Sequence, residues 1–305
     1  VNYEDVFSQV RMWDTIIYNE LLKSKTVVPM RDMNPHSEEL VGAYVKDPIV
    51  GFHDWVVSFD LNSLYPHLIM QYNISPETIL PDRKDVTVED LMDKNVDMSD
   101  GNCVAANGTM YRKDKQGMLP RIIQKEYDDR VIYKKKMLEA EQMYANTKDK
   151  QYEKLARKYF LIQHSKKISL NSAYGAIGNK YFRYYDHRQA EAITTSGQLN
   201  IRWIEKKVNE YFNKLYKTNE DYVIASDTDS IYVNMAPLVK LTGATDKDKI
   251  VKALDIFCRE KLEPYMKQSY AELGNYMNVY ENKMVMKREV IADKGIWTAK
   301  KRYIL

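Results

Sequence analysis

The feature that most constrains this chain is a run of 54 residues, from Arg121 to Tyr174, that contains neither glycine nor proline. Glycine and proline are the strongest helix breakers, so a run of this length predicts long helices. Pro120 precedes the run and favours a helix start, because proline is tolerated in a first helical turn. The polar residues 146–149 predict a turn in the middle. The sequence therefore predicts two long antiparallel helices joined by a short connection.

The positive charge of the chain is concentrated in the same region. Residues 111–170 contain 16 Lys and Arg against 8 Asp and Glu, although the whole chain carries a formal net charge of only +3. The remainder is therefore acidic. A basic segment beside acidic surroundings is typical of a polyanion-binding arm next to a metal-binding centre. A solvated helical surface has the same composition, and the charge run alone favours that simpler explanation.

Strand patterns lie on both sides of the basic region. Residues 55–59 are apolar or β-branched and end at Asp60, and residues 222–225 and 231–234 flank a polar turn, which predicts a β-hairpin. Helices and strands mix without the regular alternation of a parallel sheet, which favours an α+β fold. The other expected elements are a helix over 1–30, an irregular stretch over 84–115, a helix over 189–216 and a strand over 279–291.

Composition excludes several other classes of protein. No apolar run reaches the about 20 residues that a membrane-spanning helix needs, so we expect no membrane association. The two cysteines, Cys103 and Cys258, match no zinc-site spacing and are expected to be free thiols. A hydrophobic share of 44% is sufficient for a sizeable core.

Three aspartates at strand ends are the candidate catalytic residues. Asp60 ends one strand, and Asp227 and Asp229 flank Thr228 at the tip of the predicted hairpin. Side chains two residues apart on a strand share a face, so the hairpin acids are placed to converge with Asp60. Grouped carboxylates repel one another unless cations hold them, and oxygen ligands favour Mg²⁺ or Mn²⁺. An Asp-Thr-Asp turn is weak evidence by itself, because most turns of this kind do no chemistry.

A candidate triphosphate site lies on the two predicted helices. Arg130 and Lys134 are spaced i, i+4 on the first helix, and Lys167 and Asn171 have the same spacing on the second, with Tyr174 one turn later. A helical hairpin would direct these side chains at one polyphosphate, whose charge the cations would neutralise. On spacing alone, chance pairs in a lysine-rich helix are the simpler explanation.

Four motifs, in this order along the chain, resemble motifs A, B and C and the primer-binding KKRY element of the family B DNA polymerases. Four matches in the order of the family make a chance match improbable. Further stretches, such as residues 73–79 and 203–211, resemble the members of the family from T-even-like tailed phages. The four motifs are Asp60-Leu61-Asn62-Ser63-Leu64-Tyr65-Pro66, Lys167-Ile168-Ser169-Leu170-Asn171-Ser172-Ala173-Tyr174-Gly175, Asp227-Thr228-Asp229-Ser230 and Lys300-Lys301-Arg302-Tyr303.

The resemblance implies template-directed DNA synthesis, in which dNTPs are added to a primer 3′-hydroxyl and pyrophosphate is released by two-metal-ion nucleotidyl transfer. It implies two Mg²⁺ ions, with Mn²⁺ as a possible substitute, held by Asp60, Asp229 and the carbonyl of Leu61. Asp227 is implied to be a further catalytic acid that is less directly a ligand. Thr228 and Glu289 are possible accessory residues, although a surface salt bridge explains Glu289 about as well.

The same resemblance assigns substrate-binding roles. The incoming dNTP is expected to contact Arg130, Lys134, Lys167, Asn171 and the backbone N–H groups of Ser63, Leu64 and Tyr65. Tyr65 resembles the steric gate that excludes a ribonucleotide 2′-hydroxyl, with core packing as the simpler alternative. Tyr174 and Gly175 are expected against the nascent base pair, with a helix C-cap as the alternative for Gly175. The primer–template contacts are expected from Lys300, Lys301, Arg302 and Tyr303, with a frayed basic terminus as the alternative.

The implied architecture is an antiparallel-sheet palm flanked by helices, with an inserted two-helix antiparallel fingers hairpin. Residues 1–30 resemble the end of an exonuclease domain, 31–116 the first part of the palm, 117–178 the fingers and 179–305 the second part of the palm. The thumb and the exonuclease active site are expected to be absent. The implied partners are primer–template DNA, dNTPs, a sliding clamp and the missing polymerase domains, in the cytoplasm of an infected bacterial host.

Two alternative functions stay open on the sequence. One is a non-catalytic DNA- or nucleotide-binding core of a split or truncated polymerase, active only with its missing parts. The other is a two-metal nuclease or phosphatase, which the group formed by Lys167, Asn171 and Tyr174 disfavours. The chain also departs from the family pattern, because Ser226 stands where relatives usually have glycine and His67 replaces a small polar residue.

Overall fold

The fold was obtained as a computed structural model, which describes residues 8–31 and 39–305. Its helices are α1 (Gln9–Lys23), α2 (Leu64–Gln71), α3 (Val88–Met92), α4 (Met118–Thr147), α5 (Lys150–Ile177), α6 (His187–Tyr216), α7 (Ala236–Thr242), α8 (Lys247–Phe257) and α9 (Glu263–Tyr276). Its strands are β1 (Gly51–Leu61), β2 (Ile79–Arg83), β3 (Cys103–Val104), β4 (Thr109–Tyr111), β5 (Val223–Asp227), β6 (Ser230–Asn234), β7 (Met286–Ala299) and β8 (Arg302–Ile304). The combination of helices and antiparallel strands confirms the predicted α+β class.

The larger sheet has the strand order β5-β6-β1-β7-β8, with antiparallel pairing between all neighbours. Its central strand, β1, is buried along residues 56–59. Helix α6 packs beside this sheet and contributes the buried side chains of Ile193, Ile204 and Val208 to the main core. The smaller sheet, in the order β2-β4-β3, lies in the connection between α2 and α4.

The two long helices, α4 and α5, pack along each other as predicted. Helix α4 begins at Met118, with Pro120 in its first turn, and the connection to α5 consists of Lys148 and Asp149. Lys148 adopts a left-handed conformation, and the side chain of Asp149 caps α5 by accepting a hydrogen bond from Gln151 N. Lys166 joins the helices through ion pairs to Glu126 and Asp129, at 3.1 and 2.8 Å.

Helix α1 attaches to the base of this pair. Trp13, buried on α1, donates from its indole N–H to Ser169 O and Ser172 Oγ on α5. The helix predicted over residues 1–30 is shorter, because Ser8 caps its start and Lys23 is its last residue. The predicted part over residues 1–7 lies outside the described residues.

Three sequence-based expectations about the strands are wrong. Strand β1 begins at Gly51 rather than at residue 55, and β7 runs from Met286 to Ala299 rather than over 279–291. The two strands pair from Gly51 to Leu61, so their mutual hydrogen bonds extend each beyond its locally apolar stretch. The stretch 84–115 is not irregular: it holds α3, which a reciprocal capping box between Thr87 and Asp90 starts, and the strands β3 and β4.

The expectation for the cysteines holds. Both Cys103 and Cys258 are buried free thiols. Within residues 8–31 and 39–305, no helix combines the length and the apolar character needed to cross a membrane.

Candidate active site

The first candidate acid, Asp60, lies beside the tip of the predicted hairpin. Strands β5 and β6 are joined by a two-residue turn, Thr228-Asp229, in which Thr228 has a φ of 57°. In the sheet register Asp60 pairs with Ser230, and Leu61 N donates a 2.8 Å hydrogen bond to Asp229 O. Segments that are about 170 residues apart in the sequence are therefore adjacent in the sheet.

The charges of these acids act on one another. Burial, followed by the charges of Asp229 and Glu289, raises the pKa of Asp60 to about 7. Burial also raises the pKa of Asp229, and the charges of Asp227 and Glu289 add to this rise. A hydrogen bond from the backbone of Asp229 itself lowers the pKa by less than the total rise. Each of these carboxylates is therefore ionised at a cost, and a cation placed between them would lower that cost.

The donor chemistry of this group fits a hard divalent cation. The predicted ligands, Asp60, Asp229 and the Leu61 carbonyl, are all oxygen donors from adjacent backbone segments. Among the described residues, no three His, Cys, Asp or Glu side chains are grouped closely enough to hold one ion. The predicted set is of a different kind, because it combines two carboxylates with a backbone carbonyl.

Glu289 contributes to the same electrostatic group. It lies on β7, next to β1, with an exposed side chain, and its charge acts on both Asp60 and Asp229. Among the residues that the structure describes, Glu289 makes no ion pair.

The carboxylate of Asp227 has different neighbours. Its Oδ1 accepts a 2.9 Å hydrogen bond from Thr228 Oγ1 and lies 3.5 Å from Lys301 Nζ. Lys301 is in the turn between β7 and β8, at a φ of 59°, and its neighbour Lys300 pairs with Asp47 at 3.2 Å. The basic motif at residues 300–303 thus contacts the hairpin of acids directly.

The alternative of a frayed basic terminus is wrong for this motif. Arg302 and Tyr303 belong to β8, which pairs with β7. The ring of Tyr303 stacks on Trp297 at a centroid distance of 5.5 Å, and its hydroxyl is 2.6 Å from that of Tyr232. Stacking and pairing hold the motif in a defined place beside β6.

Tyr65 and Tyr174, from motifs A and B, contact each other. Their ring centroids are 4.7 Å apart. Burial, then the neighbouring Tyr174 and the charge of Asp229, raises the pKa of Tyr65 to about 12. Tyr65 is only half-buried, so core packing does not account for its whole ring.

The alternative of a C-cap at Gly175 is wrong. Helix α5 continues to Ile177, and Gly178 caps it. A Cβ on Gly175 would lie 2.7 Å from Oε1 of Gln9 on α1, the end of an exposed and flexible side chain.

The predicted dNTP-binding side chains differ in their surroundings. Arg130 donates from Nη1 to Ser63 Oγ at 3.3 Å, and its buried Nε has no hydrogen-bond partner among the described residues. Lys134, Lys167 and Asn171 are exposed. Ser63, Leu64 and Tyr65 form the N-terminus of α2, where the first N–H groups of a helix lack intrahelical acceptors. Arg130 is therefore placed beside that N-terminus.

Sequence reasoning missed one neighbour of motif A. Tyr127 packs edge-on against His67 at 4.6 Å, and Asn62 donates to the Tyr127 hydroxyl. Burial lowers the pKa of His67, whose Nδ1 is 3.0 Å from Ser63 O. Tyr127 precedes Arg130 by three residues, so helical spacing would have placed both on one face of α4.

A cleft of about 530 Å³ lies between the end of α1, residues 76–78, residues 112–121 and Tyr184. It shares no residue with the acids or with the cations of motif B, so it is separate from the candidate active site.

Comparison with known proteins agrees with the motifs. A sequence profile described as DNA polymerase family B matches residues 8–253. The chain is 36% identical to the DNA-directed DNA polymerase of Escherichia phage RB69 and 35% identical to that of Enterobacteria phage T4, over 100% and 99% of its own length. It is 28% identical to a DNA polymerase of Archaeoglobus fulgidus over 93% of its length. The chain spans 40% of the length of each phage relative.

Proposed function

The chain belongs to DNA polymerase family B, and from that premise we propose that it carries the nucleotide-adding centre of a template-directed DNA polymerase. The observation that carries the proposal is the adjacency of Asp60 and Asp229, two partly buried acids whose pKa values are raised by burial and by neighbouring carboxylates. Acids held in this way serve a reaction in which divalent cations and a polyphosphate arrive together. The relatives from phages RB69 and T4 are named DNA-directed DNA polymerases, which supports the same reaction.

The acidic side of the centre would hold the metal ions. Asp60, Asp229 and the Leu61 carbonyl are the proposed ligands of two Mg²⁺ ions, or of Mn²⁺ in their place. When bound, these ions would lower the pKa of the primer 3′-hydroxyl and neutralise charge on the triphosphate. Glu289 and Asp227 would set the local potential, and Thr228 would orient Asp227 through the hydrogen bond between their side chains.

The basic side would bind the incoming dNTP. Arg130 is proposed to contact the triphosphate through its guanidinium, beside the N-terminus of α2, where Nη1 donates to Ser63 Oγ. Lys134, Lys167 and Asn171 would complete the contacts from their exposed positions. The first N–H groups of α2 also point toward an anion, as helix N-termini generally do.

Sugar and primer recognition would come from aromatic and basic side chains. The ring of Tyr65, supported by Tyr174, would exclude a ribonucleotide 2′-hydroxyl, and Tyr174 and Gly175 would lie against the nascent base pair. Lys300, Lys301 and Arg302 would contact primer–template phosphates, and Tyr303 would fix their strand by stacking on Trp297.

In the terms of the family, the larger sheet with α6 would be the palm, formed by residues 31–116 and 179–305. The helical pair within 117–178 would be the fingers, and residues 1–30 would be the end of an exonuclease domain. Primer–template DNA and dNTPs are the proposed ligands, and a sliding clamp and further polymerase domains are proposed partners. The proposed setting is the cytoplasm of an infected bacterial host.

A second candidate function follows from the 40% share of the relatives' length. In that case this chain binds DNA or nucleotides and adds dNTPs only together with further polymerase domains. Primer extension by the chain alone, with a labelled primer–template, separates the two functions. Extension supports the first, binding without extension supports the second, and degradation of the DNA without dNTP incorporation contradicts both.

A further inference from the structure

The hairpin of acids has a backbone partner on its outer edge. Residues 44–49, which we term the outer-edge segment, run antiparallel to β5, and Val45 forms a bridge with Asp227. Hydrogen bonds from the N–H groups of Thr228, Lys46 and Ile49 reach the carbonyls of Tyr44, Ser226 and Ile224 at 3.1, 3.1 and 2.9 Å. Because β6 is already paired with β1, the hairpin is held from both sides.

The side chain of Lys46 connects this segment to α6. Its Nζ lies 2.6 Å from Glu205 Oε1 and 2.6 Å from Asp221 Oδ2, and it donates to Val223 O at 2.8 Å. The side chains of Lys46 and Glu205 are only 12% and 15% exposed. Removing one partner of such a buried ion pair destabilises the fold, because the other partner stays charged and unpaired away from water.

Ser226 brings the hairpin itself into this network. It is buried, it directly precedes Asp227, and its hydroxyl donates to Glu205 Oε2 at 3.4 Å. The hydroxyl is therefore a side-chain link between the hairpin and α6. Glu205 thus contacts the outer-edge segment through one oxygen and the hairpin through the other.

From this geometry we infer that Lys46 and Glu205 are positioning residues for the hairpin that carries Asp227 and Asp229. The inference rests on the proposed function, because it states that Lys46 and Glu205 hold in place the acids that are proposed to bind cations. Lys46 fixes the outer-edge segment to Glu205, and Glu205 fixes the strand end from which the acids project. Residues that orient metal ligands typically change metal affinity or activity by about 10 to 100 fold when they are replaced.

The test compares Lys46→Met with Lys206→Met, both in the full chain. Lys206 is on the same helix as Glu205, but its ion pair with Asp93 is solvent-exposed, so it is a matched control. Mn²⁺ affinity, measured by electron paramagnetic resonance, is expected to fall about tenfold in Lys46→Met and to stay unchanged in Lys206→Met. Lys46→Arg, which keeps the charge, is expected to retain most of the affinity. Equal Mn²⁺ affinity in both Met variants would overturn the assignment.

A double variant separates positioning from misfolding. Lys46→Met with Glu205→Gln removes both buried charges, and the other partner of Lys46, Asp221, has a side chain that is 44% exposed, so no buried unpaired charge remains to destabilise the fold. We expect it to melt near the wild-type temperature while its Mn²⁺ affinity stays low. Recovery of wild-type affinity in the double variant would contradict a positioning role.

Hydrogen exchange tests the same inference without any catalytic step. The amides of Thr228 and Leu61, bonded to Tyr44 O and Asp229 O, are expected to exchange about tenfold faster in Lys46→Met than in Lys206→Met. Unchanged exchange would overturn the inference. If the wild-type chain adds no nucleotide, the proposed function fails, and this comparison still decides whether Lys46 holds the hairpin.

Where nucleotide addition is measurable, the kinetic parameters give a further distinction. Lys46→Met is expected to lower kcat by about 10 to 100 fold and to change the KM for dNTP little, since Lys46 lies away from the basic helices. A rise in KM with unchanged kcat would assign Lys46 to substrate binding and contradict the inference.

Discussion

The acidic and basic sides of the proposed active site are constructed in opposite ways. Asp60 projects from β1 and Asp229 from the turn between β5 and β6, whose backbones are hydrogen-bonded to their neighbours, and both side chains are partly buried. Lys134 and Lys167 project from long helices into solvent. The acids therefore have a position fixed by the sheet before any ligand arrives, whereas the cations have a direction set by the helices and considerable side-chain freedom.

The two sides also differ in the energetic cost of keeping their side chains charged. The acids bear the cost of burial, and then of neighbouring negative charge, in the folded protein, which raises the pKa values of Asp60 and Asp229. The exposed cations bear little such cost, because water screens them. Preorganisation at a cost is typical of groups that bind transition-state charge, whereas screened cations supply general attraction for a polyanion.

The largest expected effect on nucleotide addition comes from replacing an acid on the acidic side of the proposed active site. Asp229→Ala is expected to lower nucleotide addition by at least about 1,000-fold, since a metal-binding carboxylate has no substitute nearby. In metal-free buffer it should not lower the melting temperature, because the ionised carboxylate has a raised pKa and so opposes folding. Primer extension and calorimetry measure the two quantities, with Asp82→Ala on the exposed strand β2 as the control. Substantial residual synthesis would count against the proposed function.

The next effect concerns the sugar. Tyr65→Ala is expected to raise the relative use of ribonucleotides about 100-fold, because the ring that would exclude the 2′-hydroxyl is removed. Tyr65→Phe keeps the ring and should keep the discrimination. Competition between a dNTP and its ribonucleotide in single-nucleotide addition measures the ratio. If both variants discriminate as the wild type does, Tyr65 is only a packing residue against Tyr174.

A smaller effect is expected on the basic side. Lys167→Met should raise the KM for dNTP about tenfold with a smaller change in kcat, since it removes one charged contact to the triphosphate. Lys158→Met changes the same charge at an exposed position on the same helix and should leave KM unchanged. Steady-state kinetics measures the KM for dNTP in both variants. Equal changes in KM would show that the helices attract the nucleotide only through their overall charge.

The smallest effect is the pH dependence of stability. The folded-state pKa of Asp60 is about 7, above its ordinary value of 3.8, so the folded protein holds a proton that the unfolded chain releases. Its contribution to stability is complete below pH 3.8 and is lost as the pH rises through about 7. In metal-free buffer, wild type should lose a few degrees of melting temperature relative to Asp60→Asn between about pH 5 and pH 8. If the melting temperatures of the two proteins change equally with pH, the raised pKa of Asp60 is contradicted.

The elements that the sequence predicted well are those determined by local pattern. The glycine- and proline-free run folds as α4 and α5, with the turn at Lys148 and Asp149, inside the predicted stretch. The hairpin of β5 and β6 follows from two short apolar stretches with a polar tip between them. In both cases the sequence pattern and the element that it predicts cover the same continuous stretch of the chain.

The features that the sequence did not predict depend on pairing between distant segments. Strand β1 starts at Gly51 because β7 pairs with it along its whole length, although residues 51–54 have no strand-like pattern. The stacking of Tyr303 on Trp297 and the ion pair of Lys46 with Glu205 likewise join segments that no local periodicity connects. Motif order predicted which residues form the candidate site, but their supporting contacts required the fold.

The length of the helical pair has a mechanical consequence. Helix α4 has 30 residues, so it extends about 45 Å from its base at Met118. Taken as a lever that pivots at that base, a tilt of about 10° would swing the far end through about 8 Å but Arg130 through only about 3 Å, since Arg130 is less than half-way along. Such a tilt would therefore move Arg130 only a little, whereas lysines near the far end of the helix would be displaced much more.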